Sequence, residues 1–108
     1  MSRPVTTSDD VFLALANPVR RRLLELLAAE PTAAGDLGAR FALSRSSVAE
    51  HLKVLKDAGL VTDEARGRHR IYHLTPDPLA ELSDWLHPFE RFWRARLTDI
   101  ADIAEDLE

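Results

Sequence analysis

The sequence predicts a mainly α-helical domain with one small β-hairpin. Three observations lead there. Apolar residues recur at three- and four-residue steps through most of the 108 positions. Stop-and-start signals at Asn17-Pro18, Pro31, Ser44, Gly59 and Thr75-Pro76-Asp77-Pro78 cut that pattern into segments. Residues 61–74 instead carry Val, Ile, Tyr and Thr around a central Gly, as a hairpin does.

The first helix is expected over Asp9–Ala16, capped by Ser8, with Phe12, Leu13, Leu15 and Ala16 apolar. Proline disfavours helix at the residue before it, so Asn17 ends this segment. Pro18 then suits the first position of a second helix, Pro18–Ala29, which buries Val19, Leu23, Leu26 and Leu27. Thr32 is read as the cap of a third helix, Ala33–Phe41, with Leu37 and Phe41 inward. Ser44 caps a fourth, Arg45–Ala58, and Gly59 supplies its left-handed C-terminal residue. Strands Val61–Arg66 and Arg70–Leu74 flank Gly67-Arg68-His69. Leu79–Glu108 is helical by period, with a kink or break near Leu86–Pro88, because proline lacks an N–H and clashes with the preceding turn. Helices three and four, joined by a tight connection at Ala42-Leu43, form a helix-turn-helix, and the hairpin is its wing.

Composition bounds the function. A chain of 108 residues, 45% hydrophobic and 30% charged, fits one folded domain over residues 1–108. Residues 9–75 would be the helix-turn-helix and wing, and 76–108 the terminal helix. The absence of cysteine excludes disulfides, thiolate metal sites and catalytic thiols. No apolar run is long enough for a membrane helix, and MSRPVTTSDD lacks a signal-peptide core, so a cytoplasmic address is expected. The net charge of −4 is unevenly spread: residues 1–75 carry +2 and residues 76–108 carry −6. Such asymmetry suggests two parts facing different partners. There is no phosphate-binding Gly-rich loop, nucleophile elbow or Ser/His/Asp arrangement, so no enzyme is expected.

On a helical wheel, Val48, His51, Leu52, Leu55 and Ala58 share one arc of helix 45–58. Arg45, Ser46, Ala49, Lys53 and Lys56 share the opposite arc, with Glu50 and Asp57 at its edge. Most amphipathic helices merely solvate such a face, so the wheel alone decides little. The hairpin tip adds weight: Arg66-Gly67-Arg68-His69-Arg70 holds three arginines in five residues, which no turn requires. Arg45, Ser46 and Ser47 at a helix N-terminus suit base edges in a major groove. Lys53 and Lys56 suit phosphates, and Arg68, His69 and Arg70 on the wing suit a flanking phosphate backbone or the minor groove. His51, within the apolar arc, reads as a partly buried, hydrogen-bonded residue. Glu50 suits either cytosine N4 or an ion pair with Lys53.

The stretches LANPVRRRLLELL, LSRSSVAEHLKVLKDAGLV and GRHRIYHLTPDPL resemble, in that order and spacing over about residues 10–80, the ArsR/SmtB class of bacterial winged-helix repressors. The resemblance implies a homodimeric regulator on an imperfect palindrome, with Arg45, Ser46, Ser47, Ala49 and Glu50 at DNA-facing positions. It also marks two departures. Metal-sensing members carry a Cys-x-Cys motif in the third helix, where this chain has Ala33-Ala34-Gly35-Asp36-Leu37. A second metal mode uses His and carboxylates on the last helix, where this chain has Asp84, His87 and Glu90. Leu74 and Pro76 occupy the places of the other ligand pair and bind no metal. The three are therefore read as surface polar residues, and no cofactor is expected.

The terminal segment carries Leu82, Trp85, Leu86, Phe89, Phe92, Trp93, Leu97, Ile100, Ile103, Ala104 and Leu107 at helical steps. A stripe this long exceeds what one small core covers, and soluble monomers avoid large apolar patches. A two-fold dimer covers it, with Trp85, Phe89, Phe92, Trp93, Leu97 and Ile100 packing on a second copy and on Phe12 and Leu15. Trp85 to Leu97 also resembles the cysteine-free branch of the class, whose members are often autorepressors. The expectation is a dimeric, metal-independent repressor of double-stranded DNA. The alternatives are a regulator responsive to metal through the terminal helix and a winged-helix module that binds protein alone.

Overall fold

The computed structural model describes residues 8–96. Helices α1 (Ser8–Leu15) and α2 (Pro18–Ala29) precede a two-residue strand β1 (Thr32–Ala33). Helices α3 (Ala34–Phe41) and α4 (Arg45–Asp57) follow, then strands β2 (Val61–Arg66) and β3 (His69–Leu74). Helix α5 (Asp77–Leu86) runs into a 3-10 turn, His87–Phe89, and residues 90–96 return to α-helix. The strands make one antiparallel sheet in the order β1-β3-β2.

The caps show why the breaks fall where they do. The Asn17 side chain accepts from the backbone N–H of Val19 at 2.8 Å and of Arg20 at 3.2 Å, starting α2. Ser44 accepts from the Ser47 N–H at 3.2 Å, starting α4. Helix α4 closes with a Schellman pattern: Leu60 N–H reaches Leu55 C=O and Gly59 N–H reaches Lys56 C=O, both at 2.9 Å. Gly59 has φ 77°, which glycine adopts without a Cβ penalty. Arg20 and Arg21 cap α1 from outside. Arg20 donates to Ala14 C=O at 2.7 Å and Leu13 C=O at 3.0 Å, and Arg21 to Leu15 C=O at 2.7 Å.

The core gathers Val11 and Ala14 of α1, Leu23, Leu24 and Leu27 of α2, Leu37 of α3, and Val48, Leu52 and Leu55 of α4. Ala58, Leu60 and Val61 complete it where α4 hands over to the sheet. Thus the apolar arc expected for α4 is buried, and its opposite face is left to solvent.

Four features differ from the sequence reading. Thr32 is not a helix cap: it pairs with Tyr72 in β1, and Ala33 pairs with Ile71. Its hydroxyl donates to Glu30 C=O, and Ala33 begins α3 without a side-chain cap. The backbone there is satisfied by the sheet, a non-local pairing that local cap chemistry does not encode. The hairpin turn is Gly67-Arg68 alone, and His69 already pairs with Arg66. Gly67 at φ 63° takes the positive-φ first place of a two-residue turn, so no third loop residue is needed. Leu24 is buried on α2, while Val19 and Leu26 only flank the core. On α1 the buried residues are Val11 and Ala14, and Leu13 is 67% exposed.

Candidate nucleic-acid interface

The turn between α3 and α4 aims the N-terminus of α4 outward. Ala42 sits there in the left-handed region at φ 53° and ends α3, with its N–H on Gly38 C=O. Ser44 then caps α4, so Arg45, Ser46 and Ser47 form its first turn. Ser46 and Ala49 are exposed and Ser47 is half-buried. Glu50 is exposed too. Its alternative role as a partner of Lys53 is corrected by the geometry, because Lys53 donates to Asp57 one turn further on at 2.8 Å.

The wing's cations are mostly engaged. Asp63, with only 8% of its side chain exposed, takes the Lys56 ammonium at 2.8 Å and the Arg70 guanidinium at 2.9 Å. The Lys56 hydrogen bond holds the Asp63 carboxyl below the usual carboxylate range and outweighs the opposing effect of burial. On the other face, Glu64 takes Arg66 at 2.8 Å and His73 at 3.0 Å. The His73 bond first, and Arg66 beside it, lower the Glu64 pKa. What remains at the tip is Arg68 and His69. Among the described residues, neither Arg68 nor Arg45 has a carboxylate partner. Both border one cleft between α3, α4 and the wing.

His51 is half-buried as its place in the apolar arc requires. Its Nδ1 lies 3.4 Å from the Arg20 guanidinium, which ties α4 to the cap of α1. Sequence reasoning missed Asp63 and Arg20 as organisers of this face. Asp63 had a signal: strand alternation puts it on the same face as buried Val61. Arg20 had none, because its acceptors lie six and seven residues back across a break.

The terminal elements carry the other surface. The Phe12 and Trp85 rings meet edge to face at 5.3 Å between centroids, and Trp85 meets Phe89 at 5.0 Å. Trp85 is 54% exposed, Phe92 61% and Trp93 37%. Leu15 is half-buried and flanks the core. Leu97, Ile100, Ile103, Ala104 and Leu107 lie outside the described residues. Glu90 pairs with His87 at 3.5 Å and with Arg94 at 3.1 Å, and Asp84 does not complete a three-ligand group with them. No group of three metal-binding side chains occurs among the described residues. Nor is any described helix long and apolar enough to cross a membrane.

A protein-family model described as a helix-turn-helix domain matches residues 15–64. The HTH-type transcriptional regulator Rv2034 of Mycobacterium tuberculosis is 42% identical over 97 residues, spanning 90% of this chain and 88% of that protein. The chain belongs to the ArsR family of winged helix-turn-helix transcriptional regulators. The transcriptional repressor SdpR of Bacillus subtilis is 33% identical over 81 residues, covering 75% of this chain and 90% of its own length. The solved ArsR-like transcriptional regulator from Rhodococcus sp. RHA1 superposes with a TM-score of 0.68 at 31% identity, over 90% of this chain and 92% of the other. As an ArsR-family member the chain is a DNA-binding transcriptional regulator, not an enzyme. Membership accounts for the order of elements and for the mainly helical fold with its small sheet.

Proposed function

We propose that this ArsR-family chain is a cytoplasmic, homodimeric repressor that binds a palindromic operator. Helix α4 enters the major groove through its first turns, presenting Arg45, Ser46, Ser47, Ala49 and Glu50 to base edges. Arg68 and His69 at the wing tip meet the flanking backbone. Lys53, Lys56 and Arg70 arrive as halves of ion pairs, so they contribute to phosphate binding only as far as DNA competes with Asp57 and Asp63. The observation that carries this reading is the selective pairing of charge. The wing and α4 neutralise their other cations internally and leave Arg45 and Arg68 without a carboxylate partner among the described residues, beside one cleft. A solubilising surface has no reason for that selection.

Dimerisation rests on the exposed aromatic face formed by Phe12, Trp85, Phe89, Phe92 and Trp93. A two-fold axis through it would set two copies of α4 about ten base pairs apart, in successive major grooves. The test is fluorescence anisotropy on DNA from upstream of the chain's own gene, with random DNA as competitor across a salt series. Tight, palindrome-dependent binding that EDTA, zinc and nickel leave unaltered supports the proposal. Binding that shifts about tenfold with metal, roughly 1.4 kcal/mol, would restore Asp84, His87 and Glu90 as ligands. Equal binding to random DNA would favour a module that recognises protein.

A further inference from the structure

The cleft between α3, α4 and the wing has a volume of about 680 Å³, within the usual range for small-molecule sites. Its floor is apolar, with buried Val48 and Leu52 beneath half-buried Leu43. The space exists because α3 lines it with Gly35, Gly38 and Ala39, and a Cβ placed on Gly35 meets nothing within 4 Å. The mouth carries Arg45, Arg68 and His69, and no acidic residue lines the cleft. Tyr72 lines it as well, with a hydroxyl that has no hydrogen-bond partner among the described residues. Burial raises the Tyr72 pKa, so this hydroxyl stays a donor at neutral pH.

DNA explains only part of this. Phosphates and base edges engage the two guanidinium groups from outside, and a polar duplex has no use for an apolar floor below them. Two guanidinium groups with no carboxylate partner among the described residues, beside an apolar lining that includes the Tyr72 ring, match a small amphipathic anion. A carboxylate fits an arginine fork in two parallel hydrogen bonds, and an aromatic ring fits beside Tyr72.

We propose that the cleft binds a small aromatic carboxylate, with its anion on Arg45 and Arg68 and its ring on the apolar floor, and that the bound anion displaces DNA. Binding of the carboxylate stands apart from the DNA reading; its regulatory consequence rests on that reading. The same guanidinium groups cannot serve carboxylate and DNA together, so each ligand weakens the other by an equal factor.

Isothermal titration calorimetry of the full chain with 2-naphthoate tests the site, with 2-naphthalenemethanol as the uncharged isostere. The carboxylate is expected to bind, and the alcohol to bind about tenfold more weakly, because it lacks the charged hydrogen bonds. Gly35→Leu fills the cleft and is expected to weaken 2-naphthoate at least about tenfold. Its thermal melt should be unchanged or raised, since leucine is the better helix former. Tyr72→Phe keeps the ring and is expected to lose a few-fold. Absence of binding at millimolar naphthoate overturns the site. So does equal affinity for the alcohol, or full affinity in Gly35→Leu, which would put the ligand on another surface such as the α5 aromatics. Anisotropy with bound DNA then tests displacement. If naphthoate binds but leaves DNA affinity unchanged, the regulatory half is overturned. Loss of DNA binding without naphthoate would instead count against the repressor reading.

Discussion

The Asp63 carboxylate takes the Lys56 ammonium at 2.8 Å, joining the wing to helix α4. Its other oxygen takes Arg70 of the neighbouring strand at 2.9 Å. One largely covered carboxylate therefore ties the wing to α4 and, on the proposed reading, withholds two cations from DNA. Asp63→Asn is expected to free both. The dependence of log affinity on log salt should steepen by about one to two units, near 0.9 for each phosphate newly neutralised. Affinity for random DNA should rise more than affinity for operator, because the wing loses its fixed angle. Anisotropy on both DNAs across a salt series reads this, and an unaltered slope would show that Lys56 and Arg70 never reach phosphates.

The same contact has an acid limit. The pKa of Asp63 is depressed in the folded chain, chiefly by its hydrogen bond from Lys56. A depressed carboxyl stabilises the fold at pH values above its unfolded pKa, about 3.9, and loses that contribution as pH falls through the lower folded value. Wild type should therefore be more stable than Asp63→Asn near neutrality, and the difference should close below about pH 4. Urea unfolding of both proteins between pH 3 and 7 reports it. A gap that stays constant with pH would mean the substitution acts through packing rather than charge.

Much of this was legible in the sequence, and the failures share a cause. Helices α2 and α4 announce themselves through period and through Asn17 and Ser44, whose caps are local. The hairpin follows from Gly67 and its β-branched flanks. Strand β1 was hidden because Thr32 and Ala33 are strand only through their pairing with Tyr72 and Ile71, some forty residues away. The selection of Arg45 and Arg68 from the other cations of α4 and the wing was equally hidden. It depends on where Asp57, Asp63 and Glu64 fall, and only Asp63 left a trace in the strand alternation. Residue type identified a cationic face; the pairing that sorts it is tertiary.

Ala42 is the one described non-glycine residue at positive φ, at 53°. An L-residue there bears a Cβ clash that glycine avoids. Ala42→Gly should stabilise the domain by up to about 1 kcal/mol, less the entropy glycine adds to the unfolded chain. For a domain of this size that is a rise in melting temperature of about 4–8 °C at most. A lower melting temperature would show that the Ala42 methyl supplies packing worth more than the strain.

Phe92 and Trp93 test the aromatic face with least damage to the monomer. Phe92 is 61% exposed, so its truncation removes little packing within one chain. At a two-fold interface each substitution acts twice. Phe92→Ala and Trp93→Ala should each weaken dimerisation by about 2 kcal/mol or more if these side chains are anchors. DNA affinity should fall in parallel, because in the proposed dimer two copies of α4 bind as a unit. Size-exclusion chromatography with light scattering measures the first effect. A dimer that survives both substitutions unweakened would remove this face from the interface.

Arg45 and Arg68 both lack a carboxylate partner among the described residues, yet their positions suit them to different work. Arg45 opens α4, where a guanidinium reaches a base edge. Arg45→Ala should cost roughly 1–3 kcal/mol on operator and relax preference at one base position. Arg68 sits on the turn of the wing, which in the proposed complex meets the flanking backbone. Arg68→Ala should weaken all sequences alike and flatten the salt slope by about one unit. Anisotropy with operator, single-base variants and random DNA separates the two. If Arg45→Ala weakens every sequence equally, Arg45 is a phosphate contact and α4 reads bases through Ser46, Ser47 and Glu50. If Arg68→Ala leaves the slope unchanged, the wing stands off the DNA, and the pairing of its other cations serves the hairpin's own stability instead.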